Sequence, residues 1–412
     1  MRIALVTDTY LPEVNGVTTV LAVMRDGLRQ RGHAVLVVAP RYPAPGPDDD
    51  GVLRRPSVSC PGYGQVRLAS PFDGTARAAL RDFAPDLVHV VTEGPLGSLG
   101  RRWARAAGRP IVTSFHTDFP RYFDRYLGPW AGGAARRYLR RFHGVARLVQ
   151  TPSEATAAEL RALGLPQVEV WGRGVDTALF HPARRSESRR QAMGAAGRVL
   201  VLHVGRLAVE KDVDTLVAAF REAHARLGDA AAFVVAGDGP KGAEVRSALP
   251  FAVHRGFLPR PVLAELYADS DLFVFPSPTE TCGLVALEAM ASGLPVIAAR
   301  AGGILENLRD GLNGVLVPPG DPAAFAGEIV RLVRDGAQRD ALGQGARGFA
   351  TGRGWNAELD RLVPLYELAA GRAPGGADAG GAAAPDALPG APRRREATWA
   401  HGGHTGSALP DR

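Results

Sequence analysis

Apolar, strand-like runs alternate with helical patterns along most of this 412-residue chain. Such alternation is typical of open parallel sheets that are covered by helices. The runs form two sets, the first at Ile3–Val6, Ala34–Val38, Leu87–Val91, Ile111–Ser114, Leu148–Gln150 and Val168–Trp171, and the second at Val199–Val204, Ala232–Ala236, Val253–Arg255, Leu272–Phe275 and Val296–Ala299. We therefore predict an α/β protein that contains two such sheets.

The chain is too long for one ordinary hydrophobic core, which predicts two domains. A polar, arginine-rich stretch from His181 to Arg190 separates the two sets of strands and is interpreted as the interdomain linker. We predict an N-terminal domain over residues 1–180 and a C-terminal domain over 181–354. A helix over 355–370 is expected to cross back to the N-terminal domain. Residues 371–412 are rich in glycine, alanine and proline, and are predicted to be disordered.

The cysteine content and the hydropathy pattern indicate a compartment. Cys60 and Cys282 cannot build a disulfide framework, and they fit a reducing, cytosolic environment. The first eight residues lack the apolar region of a signal peptide, and no apolar run approaches the length of a membrane span. We therefore expect a cytoplasmic protein that is soluble or peripheral on the inner face of a membrane.

Several classes of site are disfavoured by the motifs. A G-x-G-x-x-G spacing follows a predicted strand at Gly237–Gly242, but such a match by itself is weak evidence for a nicotinamide or flavin enzyme, and no Walker A loop is present. The D-x-D triplets at Asp212–Asp214 and Asp269–Asp271 fit helix-capping and turn positions better than a metal site. The histidines lack the spacing of zinc ligands. We expect neither a metal ion nor a cofactor.

Two glutamates, Glu280 and Glu288, stand eight positions apart where a strand gives way to an apparent helix. Eight helical residues rise about 12 Å, so the two carboxylates could hold different parts of one elongated ligand. Gly283 opens this helix, and the free N–H groups from Cys282 to Leu284 would point toward the carboxyl end of the strand. This arrangement suits a nucleotide-sugar, and the alternative is a surface helix with two solvated acids.

A second loop supplies positive charge after another strand. Gly205 would let the backbone approach a ligand, and Arg206 and Lys211 place two cations at the same strand end. Ligands of parallel sheets bind at the carboxyl ends of the strands, and two cations beside a helix N-terminus form a diphosphate site. The alternative is a surface ion pair with Glu210. The neighbouring Glu280 segment favours the diphosphate interpretation.

Together these segments resemble the retaining GT-B glycosyltransferases of family 4 over nearly the whole chain up to about residue 370. The shared motifs are Gly205-Arg206-Leu207, Glu210-Lys211, Gly237-Asp238-Gly239-Pro240, Glu280-x7-Glu288 and Met290-Ala291-Ser292-Gly293-Leu294-Pro295-Val296. Three further segments, Tyr10–Val17, His116–Tyr126 and Trp171–Pro182, are similar to actinobacterial GDP-mannose-dependent α-mannosyltransferases and to sulfoquinovosyl-diacylglycerol synthases, which glycosylate lipids. The resemblance implies a GT-B fold, in which two Rossmann-like domains face each other across a cleft.

The resemblance also implies a role for individual residues. The implied donor site comprises Gly16, Arg206 and Lys211 at the diphosphate, Glu288 at the ribose, Glu280, Thr281, Cys282, Gly283 and Leu284 at the sugar, and Gly256, Phe257 and Leu258 at the base. His116 would contact the donor sugar near its anomeric carbon and joins Glu280, Arg206 and Lys211 as a catalytic residue. Cys282 and Leu284 replace an aromatic residue and an asparagine that are frequent in the family, which leaves the sugar open.

We expect a retaining transferase that moves a hexose, with mannose from GDP-mannose favoured, to a lipid-linked or glycolipid acceptor. One alternative is a UDP-sugar-dependent transferase that acts on a lipid or natural-product acceptor. A GT-B epimerase is disfavoured by the spacing of Glu280 and Glu288. An alternative of another class is a non-catalytic protein that binds a nucleotide-sugar or nucleic acid, although no known nucleic-acid module is present.

The segment from 101 to 147 is strongly basic, although the formal charge of the chain is only +7. Its acidic residues are Asp118 and Asp124, and its arginines are Arg101, Arg102, Arg105, Arg109, Arg121, Arg125, Arg136, Arg137, Arg140, Arg141 and Arg147. Aromatic side chains are interleaved with these arginines, among them Trp103, Tyr122, Tyr126, Trp130, Tyr138 and Phe142. This composition suits docking to an anionic membrane surface. The alternative is an arginine-rich helical surface in an arginine-rich chain.

Overall fold

The computed structural model describes residues 1–43, 50–60, 63–116 and 128–373, which contain two parallel sheets covered by helices. The first sheet has the strand order β3-β2-β1-β6-β7-β8-β9, and an antiparallel pair, β4 and β5, lies outside it. The strands are β1 (Arg2–Val6), β2 (Ala34–Pro40), β3 (Val52–Arg55), β4 (Ser57–Cys60), β5 (Tyr63–Ala69), β6 (Leu87–Val90), β7 (Ile111–Ser114), β8 (Leu148–Thr151) and β9 (Val168–Val170). The helices of this half are α1 (Gly16–Gln30), α2 (Gly74–Phe83), α3 (Pro95–Ala106), α4 (Pro129–His143) and α5 (Glu154–Ala162).

The second sheet has the strand order β12-β11-β10-β13-β14-β15. Its strands are β10 (Val199–Val204), β11 (Ala231–Ala236), β12 (Val253–Gly256), β13 (Leu272–Phe275), β14 (Val296–Ala299) and β15 (Gly314–Val317). The helices of this half are α6 (Glu187–Ala192), α7 (Val213–Leu227), α8 (Gly242–Ala248), α9 (Arg260–Asp269), α10 (Leu284–Ala291), α11 (Pro322–Arg334), α12 (Gly336–Thr351) and α13 (Trp355–Ala369). Short 3-10 turns span Pro182–Arg184, Val209–Lys211, Gly228–Ala230 and Gly302–Glu306.

Strand β1 shows why the sequence forms sheets that are buried on both faces. Ile3 and Leu5 pack into the core on one face, and Ala4 and Val6 pack into the core on the other. Successive side chains of a strand point to opposite faces, so a strand covered on both sides must be apolar at every position. The continuous apolar runs in the sequence therefore predicted these central strands.

The α/β architecture with two Rossmann-like sheets is confirmed, and each of the eleven predicted strands is present. The sequence did not predict β3, β4, β5 or β15. Strand β3 lies at the border of its sheet, and its four residues are only partly buried, so it lacks a continuous apolar run. Strand β15 begins at Gly314, a residue that weakens strand patterns, although here a side chain would lie only 2.3 Å from Val296 O.

The stretch interpreted as a linker, His181–Arg190, is folded against the second sheet. It forms a 3-10 turn and the start of α6, and Arg190 is buried. Arg189 Nε donates to Asp269 Oδ2 at 2.6 Å, and Arg190 Nη1 donates to Asp271 Oδ2 at 2.9 Å. The triplet Asp269–Asp271 therefore supplies the counter-charge for these arginines. The sequence pattern of His181–Arg190 does not predict this pairing, because the partners lie about 80 positions away.

Two segments cross between the sheets side by side. Val175 N–H donates to Arg353 O at 2.9 Å, and Trp171 Nε1–H donates to Glu358 O at 2.7 Å. Gly174 permits this approach because a side chain there would lie 2.6 Å from Trp355 Cα. The outgoing and returning segments are thus held together by one backbone hydrogen bond and one from the Trp171 side chain.

Helix α13 returns to the first sheet and packs on its core. Leu359, Leu362 and Tyr366 join the cluster formed by β1 and α1. The Tyr366 hydroxyl lies 2.6 Å from His89 Nδ1, and the other ring nitrogen of His89 lies 2.6 Å from Ser114 Oγ. His89 is fully buried, and burial lowers its pKa to about 3.

His89→Gln tests whether this buried histidine makes the fold sensitive to acid. The unfolded chain binds a proton near pH 6.5 that the folded chain excludes until about pH 3, so acidification favours unfolding. Between pH 8 and pH 5 this one group should remove about 2 kcal/mol from the free energy of unfolding. Urea unfolding at both pH values should show that the variant loses less stability on acidification than the wild type by that amount. Equal losses in the two proteins would contradict the assignment.

Candidate active site

The loops that follow β10, β11 and β13 emerge at one edge of the second sheet, because parallel neighbours end together. The loop after β11 supports the loop after β10 through its backbone. Leu207 N–H donates to Asp238 O at 3.1 Å, and Lys241 N–H donates to Leu207 O at 2.9 Å. Gly237 has a φ of +126°, and a side chain there would lie 1.9 Å from Gly205 O. The glycines of these two predicted motifs therefore allow the loops to stack.

Lys211 and Glu280, which the sequence assigned to diphosphate and sugar, form a direct ion pair. Both side chains are largely buried, and Ser277 Oγ–H also donates to Glu280 Oε1 at 3.2 Å. Thr279 Oγ1–H donates to Glu210 O at 2.8 Å, which joins the same two loops a second time. Arg206 is exposed at this edge. The structure thus brings the cationic loop and the first glutamate into one site.

Glu288 lies within α10 and is only 6% exposed. Its carboxylate accepts a hydrogen bond from Arg260 Nη1 at 2.8 Å. Burial raises the pKa of Glu288, and the Arg260 charge opposes that rise. Arg260 also lies over the Phe180 ring, 5.0 Å from its centroid. Sequence reasoning missed Arg260, because the 28 positions between the partners leave no local pattern.

The segment from Thr281 to Leu284 forms the turn into α10. Gly283 caps the helix with a φ of +75°, in the left-handed region that favours glycine. Two carbonyl groups at this turn accept hydrogen bonds from residues 303–307. Gly303 N–H donates to Glu280 O, and Asn307 Nδ2–H donates to Cys282 O, both at 2.7 Å. Burial raises the pKa of Cys282 to about 11, so its side chain is a neutral thiol.

The supporting turn that contains Gly303 and Asn307 was not identified from the sequence. A side chain at Gly303 would lie 2.0 Å from Thr281 O and 2.8 Å from Cys282 N. Gly302, with a φ of +67°, is similarly close to Glu280 O. The paired glycines could have signalled a close backbone approach, but the sequence alone does not say which backbone they approach.

Residues of the first sheet meet this turn from the opposite side. Gly16 is the first residue of α1, and a side chain at this position would lie 3.6 Å from Leu284 Cδ1. Thr281 Oγ1–H donates to His116 O at 3.1 Å, and His116 follows β7. The predicted residues Gly16 and His116 therefore lie beside the predicted sugar segment.

His116 is held by Arg173, which follows β9. Arg173 Nη2 lies 3.2 Å from His116 Nδ1. Burial, the Arg173 charge and, to a smaller extent, His89 lower the pKa of His116 well below its ordinary value. The imidazole is therefore neutral. Arg173 stands in a motif that carried the family resemblance, but no feature of the motif indicated a role for it, because its partner His116 lies 57 positions away.

The predicted base-binding residues Gly256, Phe257 and Leu258 lie at the end of β12, on the same edge of the second sheet. Gly237 N–H donates to Gly256 O at 2.7 Å, which ties this end to the β11 loop. Phe257 is 61% exposed, whereas Leu258 packs against the core. An exposed aromatic ring beside the site could stack on a nucleobase.

The arginine- and aromatic-rich segment is described only in part. Residues 117–127, with Arg121, Tyr122, Arg125 and Tyr126, lie outside the described residues, as does the tail from 374 onward. Trp130 on α4 is 75% exposed, and Arg102, Arg105, Arg137, Arg140 and Arg141 are also exposed. Phe142 and Trp103 instead pack in the core of the first sheet, so they cannot serve as interfacial aromatics.

The described residues offer neither a metal cluster nor a membrane-spanning helix. They contain no group of three or more His, Cys, Asp or Glu side chains placed to hold a metal ion. Within the same ranges, every helix is too short or too polar to cross a membrane.

Known proteins resemble both halves of the chain. The family model described as Glycosyltransferase Family 4 matches residues 14–179, and the one described as Glycosyl transferases group 1 matches residues 198–335. A GDP-mannose-dependent alpha-mannosyltransferase of Mycobacterium tuberculosis (strain CDC 1551 / Oshkosh) is 38% identical over 380 residues, which cover 90% of this chain and 98% of that protein. Sulfoquinovosyl transferase SQD2 of Arabidopsis thaliana is 34% identical over 348 residues, which cover 81% of this chain and 67% of that protein.

The fold is also shared with solved structures. A crystal structure of Anabaena Alr3699/HepE in complex with UDP and glucose aligns with a TM-score of 0.72 at 22% identity, covering 89% of this chain and 100% of that one. Two Rossmann-like sheets, the matches in both halves and the extent of the 38% identical relative agree. The chain therefore belongs to glycosyltransferase family 4, has the GT-B fold and is a hexosyltransferase.

Proposed function

We propose that this hexosyltransferase transfers mannose from GDP-mannose, with retention of anomeric configuration, to a lipid-linked or glycolipid acceptor. The observation that carries the proposal is the ion pair between Lys211 and Glu280 at the edge of the second sheet, next to Thr281, which donates to His116 of the first half. Mannose and GDP are favoured by the 38% identity to a GDP-mannose-dependent alpha-mannosyltransferase. A lipid acceptor is favoured by the exposed arginines and Trp130 on the first-sheet side.

The donor would lie along the carboxyl edge of the second sheet. Arg206 and Lys211 would bind the diphosphate, because compact and forked cations both stabilise phosphate charge. Glu288, held in place by Arg260, would accept hydrogen bonds from the ribose hydroxyls. Glu280 and the N–H groups of the turn from Thr281 to Leu284 would bind the sugar. Gly16 would let the first α1 turn approach the phosphates.

Charge stabilisation would drive the transfer. As the bond between the anomeric carbon and the phosphate oxygen breaks, negative charge grows on the nucleoside diphosphate, and Arg206 and Lys211 stabilise it. The acceptor oxygen bonds to the anomeric carbon on the face that the phosphate leaves, and the acceptor proton passes to the departing phosphate oxygen. His116, which is neutral, would orient the sugar by a hydrogen bond.

Transfer of sulfoquinovose is the second candidate, and the 34% identity to sulfoquinovosyl transferase SQD2 is the observation that favours it. A UDP-sugar donor is an alternative to GDP-mannose on the same site. Thermal-shift measurements with GDP, UDP, GDP-mannose and UDP-sugars separate these donors, because a ligand that binds only the folded state raises its melting temperature. A shift with UDP compounds alone would reject GDP-mannose.

Lys211→Ala should lower turnover about a hundredfold or more, since it removes a cation that stabilises the leaving diphosphate. Transfer of radiolabelled mannose from GDP-mannose to a total lipid extract is the assay. Glu288→Gln should mainly raise the KM for the donor. Lys241→Ala is the matched control, because Lys241 pairs with Asp214 at the surface and should keep wild-type turnover. Wild-type activity of both site variants would remove the donor-site assignment.

Gly303→Ala tests the support behind the sugar segment. The new methyl group would lie 2.0 Å from Thr281 O, so the turn must move, and we expect turnover to fall at least about tenfold, as displaced catalytic geometry does elsewhere. Gly327→Ala on α11 is the control, since a methyl group there meets no atom within 4 Å. Steady-state kinetics and melting temperatures of both variants separate a local effect from unfolding. Equal activity in the two variants would contradict the support role.

Replacing Arg137 and Arg141 together with glutamate tests membrane docking. Each basic residue near an anionic surface contributes about 1 kcal/mol, so the double variant should bind anionic liposomes at least about tenfold more weakly. Arg221→Glu, an exposed position on α7, is the control and should bind like the wild type. Co-sedimentation with phosphatidylglycerol and phosphatidylcholine vesicles measures both. Equal recovery of the wild type with the two vesicle types would reject the surface.

A further inference from the structure

We propose that Arg173 is a positioning residue that selects one tautomer of His116, so that His116 presents an Nε2–H donor to the sugar. This inference rests on the proposed role of His116 at the donor sugar. Arg173 would not itself touch the donor. Its effect on the reaction would pass through the imidazole ring.

The contacts of Arg173 fix its guanidinium in one orientation. The side chain is 3% exposed and lies over the Trp171 ring, 4.7 Å from the centroid. Nη1 donates to Trp171 O at 2.8 Å and to Gly172 O at 3.2 Å. Nη2 is thereby directed to His116 Nδ1 at 3.2 Å. The Arg173 guanidinium therefore links the backbone of Trp171 and Gly172 to the imidazole of His116.

The chemistry of this contact determines where the proton of His116 resides. Arginine is always a donor, so Nδ1 must act as the acceptor, and a neutral imidazole must then carry its proton on Nε2. The low pKa of His116, to which the Arg173 charge contributes after burial, keeps the ring neutral. The Nε2–H tautomer follows from the geometry together with that neutrality.

The second ring nitrogen supplies the independent sign of a ligand. Among the described residues, His116 Nε2 is buried and has no hydrogen-bond partner. A buried donor without a partner costs free energy, and such a group is commonly satisfied by a bound molecule. Because His116 O also binds Thr281 in the sugar segment, this donor lies beside the position proposed for the sugar.

A purely structural role does not explain why arginine stands here. The Glu358 carboxylate pairs with Arg353 and Arg361, and its charge only partly offsets the burial of the Arg173 guanidinium. Burial lowers the pKa of Arg173 to about 10, so it stays charged at neutral pH. Burying a cation costs free energy, and an uncharged side chain could fill the same space without that cost. An arginine here has the specific effect that His116 Nδ1 must accept a hydrogen bond.

The direct test is nitrogen NMR of protein labelled with 15N-histidine, in which His116→Gln identifies the His116 signals. The wild type should show a protonated Nε2 and an unprotonated Nδ1. Arg173→Met removes the donors while keeping a long side chain, and should produce a mixture of tautomers. Arg347→Met is the matched control, because Arg347 also donates to main-chain carbonyls but lies on α12, and it should leave the His116 signals unchanged. An unchanged tautomer in Arg173→Met would overturn the proposal.

Kinetics supply the second readout, with GDP-mannose as the donor and a total lipid extract as the acceptor source. Arg173→Met should lower kcat at least tenfold and change the KM for GDP-mannose less than threefold. In the His116→Gln background the same substitution should lower kcat less than twofold, since its route of action is already lost. Full and additive loss in both backgrounds would indicate a structural role and overturn the proposal.

Two further outcomes separate this inference from the proposed function. If His116→Gln retains wild-type turnover, the role of His116 at the sugar fails, whereas the NMR result still decides whether Arg173 sets the tautomer. If Arg173→Met does not fold, Arg173→Leu replaces it, because leucine also removes every donor that faces His116 Nδ1 and fills the buried space with a different shape. That variant should likewise lose the single tautomer, and retention of it would overturn the proposal.

Discussion

The contact between loops of the two halves depends on the place where the chain crosses between its two sheets. The segment that begins at Trp171 leaves the first sheet, and the returning segment from Arg353 to Glu358 lies against it through backbone hydrogen bonds and glycine contacts. Because Gly174 has no side chain, the two segments approach closely enough for α13 to reach the core of the first sheet. The crossing therefore sets which loops of the two halves meet. Arg173 lies in the outgoing segment and contacts His116, so the path of this segment determines the position of that contact.

Charge within the site is balanced by residues from different loops. Lys211 follows β10, whereas its partner Glu280 follows β13. Glu288 lies on α10, whereas Arg260 begins α9. Buried charges need such partners, since an unpaired ion in a protein interior is strongly destabilising. The first pair therefore joins two loops, and the second joins two helices. The parallel topology allows such pairs to form, because the segments that follow parallel strands begin at the same edge of the sheet.

The sequence predicted the central strands well because strands covered on both faces must be apolar throughout. It also assigned Arg206, Lys211, Glu280 and Glu288 to one edge, because strand-end motifs are local. It missed what depends on distant partners. Arg260 and Arg173 act on residues 28 and 57 positions away, and the turn with Gly303 supports a segment that precedes it by about twenty residues. The arginines of His181–Arg190 indicated a solvent-exposed linker, because their partners Asp269 and Asp271 lie about 80 positions away in the sequence. Composition cannot encode such pairings.

The ion pair between Lys211 and Glu280 also limits how the site can diversify. With the roles proposed above, a change at Glu280 that suited another sugar would leave Lys211 without this carboxylate and so would also disturb binding of the diphosphate. Cys282 and Leu284 carry no such obligation, since a thiol and an aliphatic side chain can be exchanged without unpairing a charge. Both are positions where this chain departs from residues frequent in its family. Substitutions at Cys282 and Leu284 therefore disturb the site less than substitutions at Lys211 or Glu280, which form an ion pair with each other.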